Sequence, residues 1–123
     1  LLMKQAILAA EDDRFYEHGG IDYLGVLRAA GSNILAGGRR QGASTITQQV
    51  ARNFFLSSEK TFTRKLYEAL LSFKIEDNLS KDQILELYFN QIFLGHRAYG
   101  FSAAAKVYFD KNLNNFLYYY LFV

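Results

Sequence analysis

Two glutamates and a run of cations are the residues of this chain with chemistry to offer. Glu11 closes an otherwise apolar N-terminal segment and opens the charged stretch Glu11-Asp12-Asp13-Arg14-Phe15-Tyr16-Glu17-His18-Gly19-Gly20. Ile7 and Leu8 lie four and three residues before it, so in a helix all three side chains share one face. A carboxylate placed that way sits at the rim of the core or faces a cleft, where acid–base chemistry is open to it. The plain alternative is a solvated helix end before a Gly-Gly turn. Glu68 falls inside the longest predicted helix, Thr61 to Asn78. Phe62, Leu66, Leu70 and Phe73 form one stripe of that helix, and Arg64, Glu68, Leu71 and Ile75 form another nearly opposite, which predicts a central helix apolar on both sides in its second half. An ion screened from water there is costly unless it is paired or functional. Arg64, four residues earlier, has the spacing of an ordinary ion pair along a helix.

The cations are concentrated. Residues 39–74 hold Arg39, Arg40, Arg52, Lys60, Arg64, Lys65 and Lys74 against Glu59 and Glu68, a local net of +5 in a chain whose formal total is +2. A basic middle between acidic flanks suits phosphate, pyrophosphate, nucleic acid or a lipid headgroup without choosing among them. Ser44-Thr45-Ile46-Thr47-Gln48-Gln49 adds hydroxyls and amides at a predicted helix start, with Ser44 as the expected N-cap. Such groups hydrogen-bond a sugar or phosphate near a helix N-terminus, or they form a capped and solvated first turn.

Helices must position these groups. Proline is absent, and nine glycines supply the punctuation of a mainly helical chain. The first helix runs from Leu1 to Asp13, and Asp22 caps a second reaching Leu35, with Leu24, Leu27, Ile34 and Leu35 as its apolar positions. Gly37 to Gly42 is a basic, glycine-rich connection expected to be mobile. Val50, Phe54 and Phe55 mark the apolar side of the third helix, and Ser57-Ser58 separates it from the fourth. Ser80-Lys81-Asp82-Gln83 is a capping box that launches a fifth helix through Leu94, with Gln83, Glu86 and Asn90 along its polar seam. Gly95-His96-Arg97 turns the chain into a sixth helix, Gly100 to Asp110, whose Ala103-Ala104-Ala105 permits close packing.

Composition removes several classes of function. With half its residues apolar, 123 residues can bury one core. The absence of cysteine excludes disulfides, thiol nucleophiles and Cys-ligated metals, and two histidines are too few for most zinc sites. An isoelectric point of about 8.8 and basic residues without interleaved readout groups argue against nucleic acid. No signal peptide or bilayer-length apolar run occurs, and the chain begins inside an apolar segment, as a fragment would.

Five motifs in register resemble the peptidoglycan glycosyltransferases, glycosyltransferase family 51, and the transglycosylase module of class A penicillin-binding proteins in particular. They are Glu11-Asp12-x-x-Phe15-x-x-His18-x-Gly20; Gly42-Ala43-Ser44-Thr45-Ile46-Thr47-Gln48-Gln49 with Arg52-Asn53; Arg64-Lys65-x-x-Glu68; Lys81-x-x-Ile84-Leu85-Glu86-x-Tyr88-x-Asn90; and Arg97-Ala98-Tyr99-Gly100 with Ala103-Ala104 and Tyr108-Phe109. The second, third and fifth are worded as in the penicillin-binding protein 1A branch. The resemblance implies an all-α fold, the lysozyme-like lobe of a two-lobed glycosyltransferase domain, truncated. Residues 1–113 would be a partial domain and residues 114–123 a divergent tail.

The resemblance further implies polymerisation of lipid II into β-1,4-linked glycan with inversion and release of undecaprenyl pyrophosphate. Glu11 and Glu68 would be the catalytic carboxylates, Glu11 as the base. Ser44, Thr45, Gln49, Arg52, Arg64 and Lys65 would bind donor sugar and pyrophosphate, and Asp12, Phe15, His18 and Asn90 would shape the cleft. A hydrolase needs an acid and an attacking water, whereas a pyrophosphate leaves if cations receive it, which favours transfer. No cofactor is implied as required, with Mg or Mn beside Glu68 left open. The implied partners are lipid II, the growing strand, a membrane surface, moenomycin-type inhibitors and a transpeptidase domain in the parent chain, but no nucleic acid. The implied place is the outer face of the bacterial cytoplasmic membrane, held by an anchor outside this chain. The competing reading is an inactive cationic helical fragment that binds membrane or lipid-pyrophosphate headgroups.

Overall fold

The computed structural model describes residues 2–35, 42–55, 60–91 and 98–110. All regular elements among them are helices: α1 (Leu2–Glu11), α2 (Tyr23–Leu35), α3 (Ile46–Arg52), α4 (Phe62–Asn78), α5 (Lys81–Gln91) and α6 (Phe101–Phe109). The expected mobile connection at Gly37 to Gly42 lies outside the described residues but for Gly42, as do the Ser57-Ser58 break, the end of the fifth helix, the turn at Gly95 to Arg97 and the divergent tail.

The shortest helix is the central one. Ile46, Val50 and Ala51 of α3 are fully buried, and α3 packs against both α4 and α5. Around it gather Phe15, Ile75, Ile84, Leu85 and Tyr88, with Ile7 and Leu8 of α1 and Phe101 of α6 packed against the cluster. A helix this short does not persist on its own, so its ends are secured by side chains. Thr45, not Ser44, is the N-cap: its hydroxyl accepts from Gln48 N–H at 3.1 Å while Thr45 N–H donates to Gln48 Oε1 at 2.9 Å. The same reciprocal box opens α5, Ser80 with Gln83, as expected.

Three expectations from apolar spacing are corrected. On α4 the side turned inward carries Glu68, Ser72 and Ile75, while Phe62, Leu66 and Leu70 face solvent. The polar stripe goes inside because Glu68 meets Arg52 of α3 and the Ser72 hydroxyl bonds the Ala69 carbonyl of its own helix, so α4 is a flanking helix and α3 takes the centre. Phe54 lies beyond the end of α3 and is exposed. On α2 only Ala29 is buried, and Leu24, Leu27, Ile34 and Leu35 are exposed.

The turn from α1 to α2 presses against this core. Phe15 is 1% exposed, with Lys81 Nζ 4.6 Å from its ring centre. Gly20 has φ +112°, and a Cβ there would stand 3.1 Å from Ser72 Oγ and 3.2 Å from its backbone, so conformation and space both demand glycine. Gly100, with φ +85°, lets the start of α6 approach the Asn90 carbonyl as no side chain would. Phe15→Ala is expected to lower unfolding free energy by about 3–5 kcal/mol in chemical denaturation, the range for emptying a buried aromatic site.

Candidate active site

Of the two placements open to Glu11, the structure selects the cleft. Its carboxylate is exposed at the last residue of α1 and takes a hydrogen bond from Gln49 Nε2 at 3.2 Å. It lines a cleft of about 160 Å³ with Ser44, Thr45, Asp13, Asp22 and Arg28. Tyr88, buried in α5, lies within electrostatic reach: burial pushes its phenol up to about 12, and the Glu11 charge adds to the shift. Tyr88 therefore stays neutral and contributes bulk, not charge, near Glu11.

The neighbouring Asp12 is turned inward. Both its oxygens lie 2.9 Å from His18 Nε2, and Oδ2 also accepts the Ile46 N–H at 3.0 Å. Gly20 N–H donates to His18 Nδ1 at 3.1 Å. A backbone N–H can only donate, so Nδ1 is the acceptor and the ring proton sits on Nε2, directed at Asp12. Thr45 Oγ1 donates to the Gly20 carbonyl at 2.6 Å. Of the two readings of the α3 N-terminus, a ligand contact or a capped first turn, the structure shows the cap, with Asp12 on the Ile46 N–H and Thr45 on the Gln48 N–H, and the turn is buried where solvation was expected.

Glu68, 3% exposed, is the anchor of a cationic pair. Arg52 Nη2 reaches Oε1 at 3.2 Å and Nε reaches Oε2 at 3.3 Å, while Lys65 Nζ bonds Oε1 at 2.9 Å and Ser44 Oγ at 2.8 Å. Burial raises the tendency of Glu68 to hold a proton, but the hydrogen bonds and charges of Arg52 and Lys65 outweigh it, and its pKa lies below the ordinary 4.5. The expected Arg64–Glu68 ion pair is replaced: the Arg64 guanidinium lies over the Phe55 ring at 5.1 Å, and Glu68 turns to Arg52 instead. Stacking on the partly buried Phe55 ring and pairing with a buried carboxylate draw the two arginines in different directions.

Gln49 and Arg52 are three residues apart on α3 and share a face. One two-turn helix thereby carries the contact to Glu11 from its middle and the contact to Glu68 from its last residue. Ser44, Thr45, Gln49, Arg52, Lys65, Glu11 and Glu68 are brought together, while Asn90 is exposed elsewhere, in a groove with Asn53, Phe54, Gln91 and Tyr99. Chemically, the arrangement offers an accessible carboxylate and, one helical turn away, two half-exposed cations held by a single counter-charge. Together they can hold an anion beside a proton acceptor. No group of three or more His, Asp or Glu side chains placed to hold a metal ion occurs among the described residues. Glu68 is a lone carboxylate with both oxygens on cations, a donor set that does not fit a divalent ion.

Sequence reasoning gave no task to Arg28 and Asp13, which pair across the cleft wall at 3.4 Å, or to Thr47, Glu76 and Lys81. The Thr45 cap was legible in Thr45-x-x-Gln48, a capping box that Ser44-x-x-Thr47 is not.

A family model described as Transglycosylase matches residues 2–118. Penicillin-binding protein 1A of Neisseria flavescens is 65% identical over 114 residues, 93% of this chain and 14% of that protein. Penicillin-binding protein 1A of Neisseria gonorrhoeae is 63% identical over 114 residues, again 93% and 14%. A putative transglycosylase of Cupriavidus necator is 62% identical over 109 residues, 89% of this chain and 47% of that protein. The chain therefore spans 14% of the length of the penicillin-binding proteins it matches.

A folded-state pKa below the unfolded one means that Glu68 stabilises the fold above the unfolded value of 4.5, and that this contribution disappears as pH falls through the lower folded value. In a carboxyl NMR titration Glu68 is expected to protonate below 4.5 in the parent chain. In an Arg52→Met/Lys65→Met double variant only burial remains, and the midpoint is expected above 4.5.

Proposed function

The chain belongs to the transglycosylase family, and from that premise we propose that it polymerises lipid II into β-1,4-linked glycan, with inversion at the anomeric carbon and release of undecaprenyl pyrophosphate. The observation that carries the reading is the placement of two opposite functions on one face of α3. Gln49 holds the exposed Glu11, and Arg52 joins Lys65 on the buried Glu68.

In this reading Glu11 is the general base. It accepts the proton of the acceptor's 4-hydroxyl as that oxygen forms its bond to the anomeric carbon, on the face opposite the departing group. The bond from that carbon to the pyrophosphate oxygen breaks with its electron pair going to the pyrophosphate. Arg52 and Lys65 receive that charge, with Arg64 nearby in sequence and Ser44 hydrogen-bonded to Lys65. Glu68 positions the two cations, with both of its oxygens bonded to them. No step needs a metal. A moenomycin-type phosphoglycolipid would compete for the same cations.

Work at the outer face of the cytoplasmic membrane follows from a substrate whose lipid stays in the bilayer. No helix among the described residues is long and apolar enough to cross a membrane. A transpeptidase domain in the parent chain is proposed on the name and length of the penicillin-binding protein relatives.

Glu11→Gln keeps the shape and the Gln49 contact but removes the base. It is expected to cut glycan formation from lipid II by about 10²-fold or more, with donor binding retained and helical circular dichroism unchanged. Polymerisation left intact in a folded Glu11→Gln chain would overturn the reading.

A further inference from the structure

Behind the cleft runs a closed chain of polar contacts that the proposed chemistry does not use. It starts on α3, where Thr47 Oγ1 donates to Glu76 Oε1 of α4 at 2.6 Å. Lys81 Nζ of α5 donates to the same oxygen at 2.7 Å and to the His18 carbonyl at 2.6 Å. The His18 ring then holds Asp12, and Asp12 accepts the N–H of Ile46, next to Thr47 where the chain began. Thr47 is fully buried, and Glu76 and Lys81 have side chains only 11% and 21% exposed.

We propose that Lys81, with Glu76 as its counter-charge, is a positioning residue for catalysis: it clamps the His18 carbonyl so that the Asp12–His18 pair holds Glu11 against Gln49. This rests on Glu11 being the base, as argued above. The physical case has three parts. Lys81 is the sole side chain among the described residues that hydrogen-bonds the backbone of the 12–20 turn from α5. Its ammonium also caps the face of Phe15, so one group fixes both the polar and the apolar side of the turn. Glu76 supplies that ammonium with a counter-charge at 2.7 Å and aims it, since a largely buried cation without a partner would be costly. The turn begins at Asp12, the residue after Glu11, so a slack turn moves the carboxylate itself. The Arg52–Glu68–Lys65 group is tied through other contacts and does not depend on Lys81.

The experiment is steady-state polymerisation of lipid II by the full chain and by Lys81→Met, Lys81→Arg and Glu76→Gln, expressed per folded molecule from circular dichroism, with amide hydrogen exchange on the same samples. Lys81→Met is expected to lower kcat about tenfold or more, since small misplacement of a reacting group is costly, with KM for lipid II within about twofold because the cation pair is intact. Lys81→Arg should restore part of kcat. Exchange should quicken at Ile46 and Gly20, whose N–H groups bond Asp12 and His18, and stay slow at Ser72 of α4. A fall in KM-weighted binding alone, or a kcat per folded molecule equal to the parent's, overturns the proposal. If Lys81→Met does not fold, Glu76→Gln, which keeps the shape and loses the counter-charge, must show the same split and the same exchange pattern or the proposal falls. A parent chain without polymerising activity would sink the functional reading, whereas unchanged exchange at Ile46 and Gly20 in the variants would sink the clamp independently of turnover.

Discussion

The fold of this chain turns on one buried carboxylate. Asp12 has almost no contact with water, and it remains tolerable only because two donors converge on it, the His18 ring and the Ile46 backbone N–H, while the Gly20 amide bonds the far side of the His18 ring and fixes its tautomer. A buried ion with that set of partners is directional in a way apolar packing is not. It specifies that the turn after α1 meets the first turn of α3, and it does so at hydrogen-bond precision. The apolar contacts of Phe15, Ile46 and Val50 supply the bulk of the burial, but they would accept small slips in register that Asp12 does not.

From that junction the two sides of the cleft follow. The residue before Asp12 is the exposed Glu11, and the helix that Asp12 caps carries Gln49 and Arg52 on one face. Buried and exposed carboxylates are adjacent in sequence and opposite in duty, because the end of α1 directs one side chain to the cleft and the next into the core. Glu68 repeats the logic on the other side, with a buried carboxylate orienting cations that stay accessible.

Much of this was legible in the residues. The six helices and the α5 capping box follow from periodicity and cap chemistry, and the gathering of Glu11, Gln49, Arg52, Lys65 and Glu68 is implied by the resemblance that the five motifs carry. What escaped was partnership across long separations. Spacing offered Arg64 to Glu68 because they are a helical turn apart, while its actual partners are Lys65, three residues before it, and Arg52, which comes from another helix. Likewise the apolar stripe of Phe62, Leu66 and Leu70 looked inward because periodicity ranks hydrophobicity and does not know that Glu68 will be satisfied by Arg52 of α3 and Ser72 by the Ala69 carbonyl of its own helix. Thr47 and Lys81 stood in motifs and Glu76 in none, but nothing local pointed to their pairing, because their bonds span 29 and 63 residues of chain.

The brevity of α3 has a meaning of its own. With seven residues and both ends bonded, it works as a fixed ruler between proton acceptor and anion holder. A helix advances about 1.5 Å and turns about 100° per residue, so one residue gained or lost between Gln49 and Arg52 would swing the guanidinium off the shared face altogether. Substitutions along this stretch can be absorbed where side chains are replaceable, but a change of length cannot. The spacing of the chemistry is therefore written in the count of residues in α3 as firmly as in their identity.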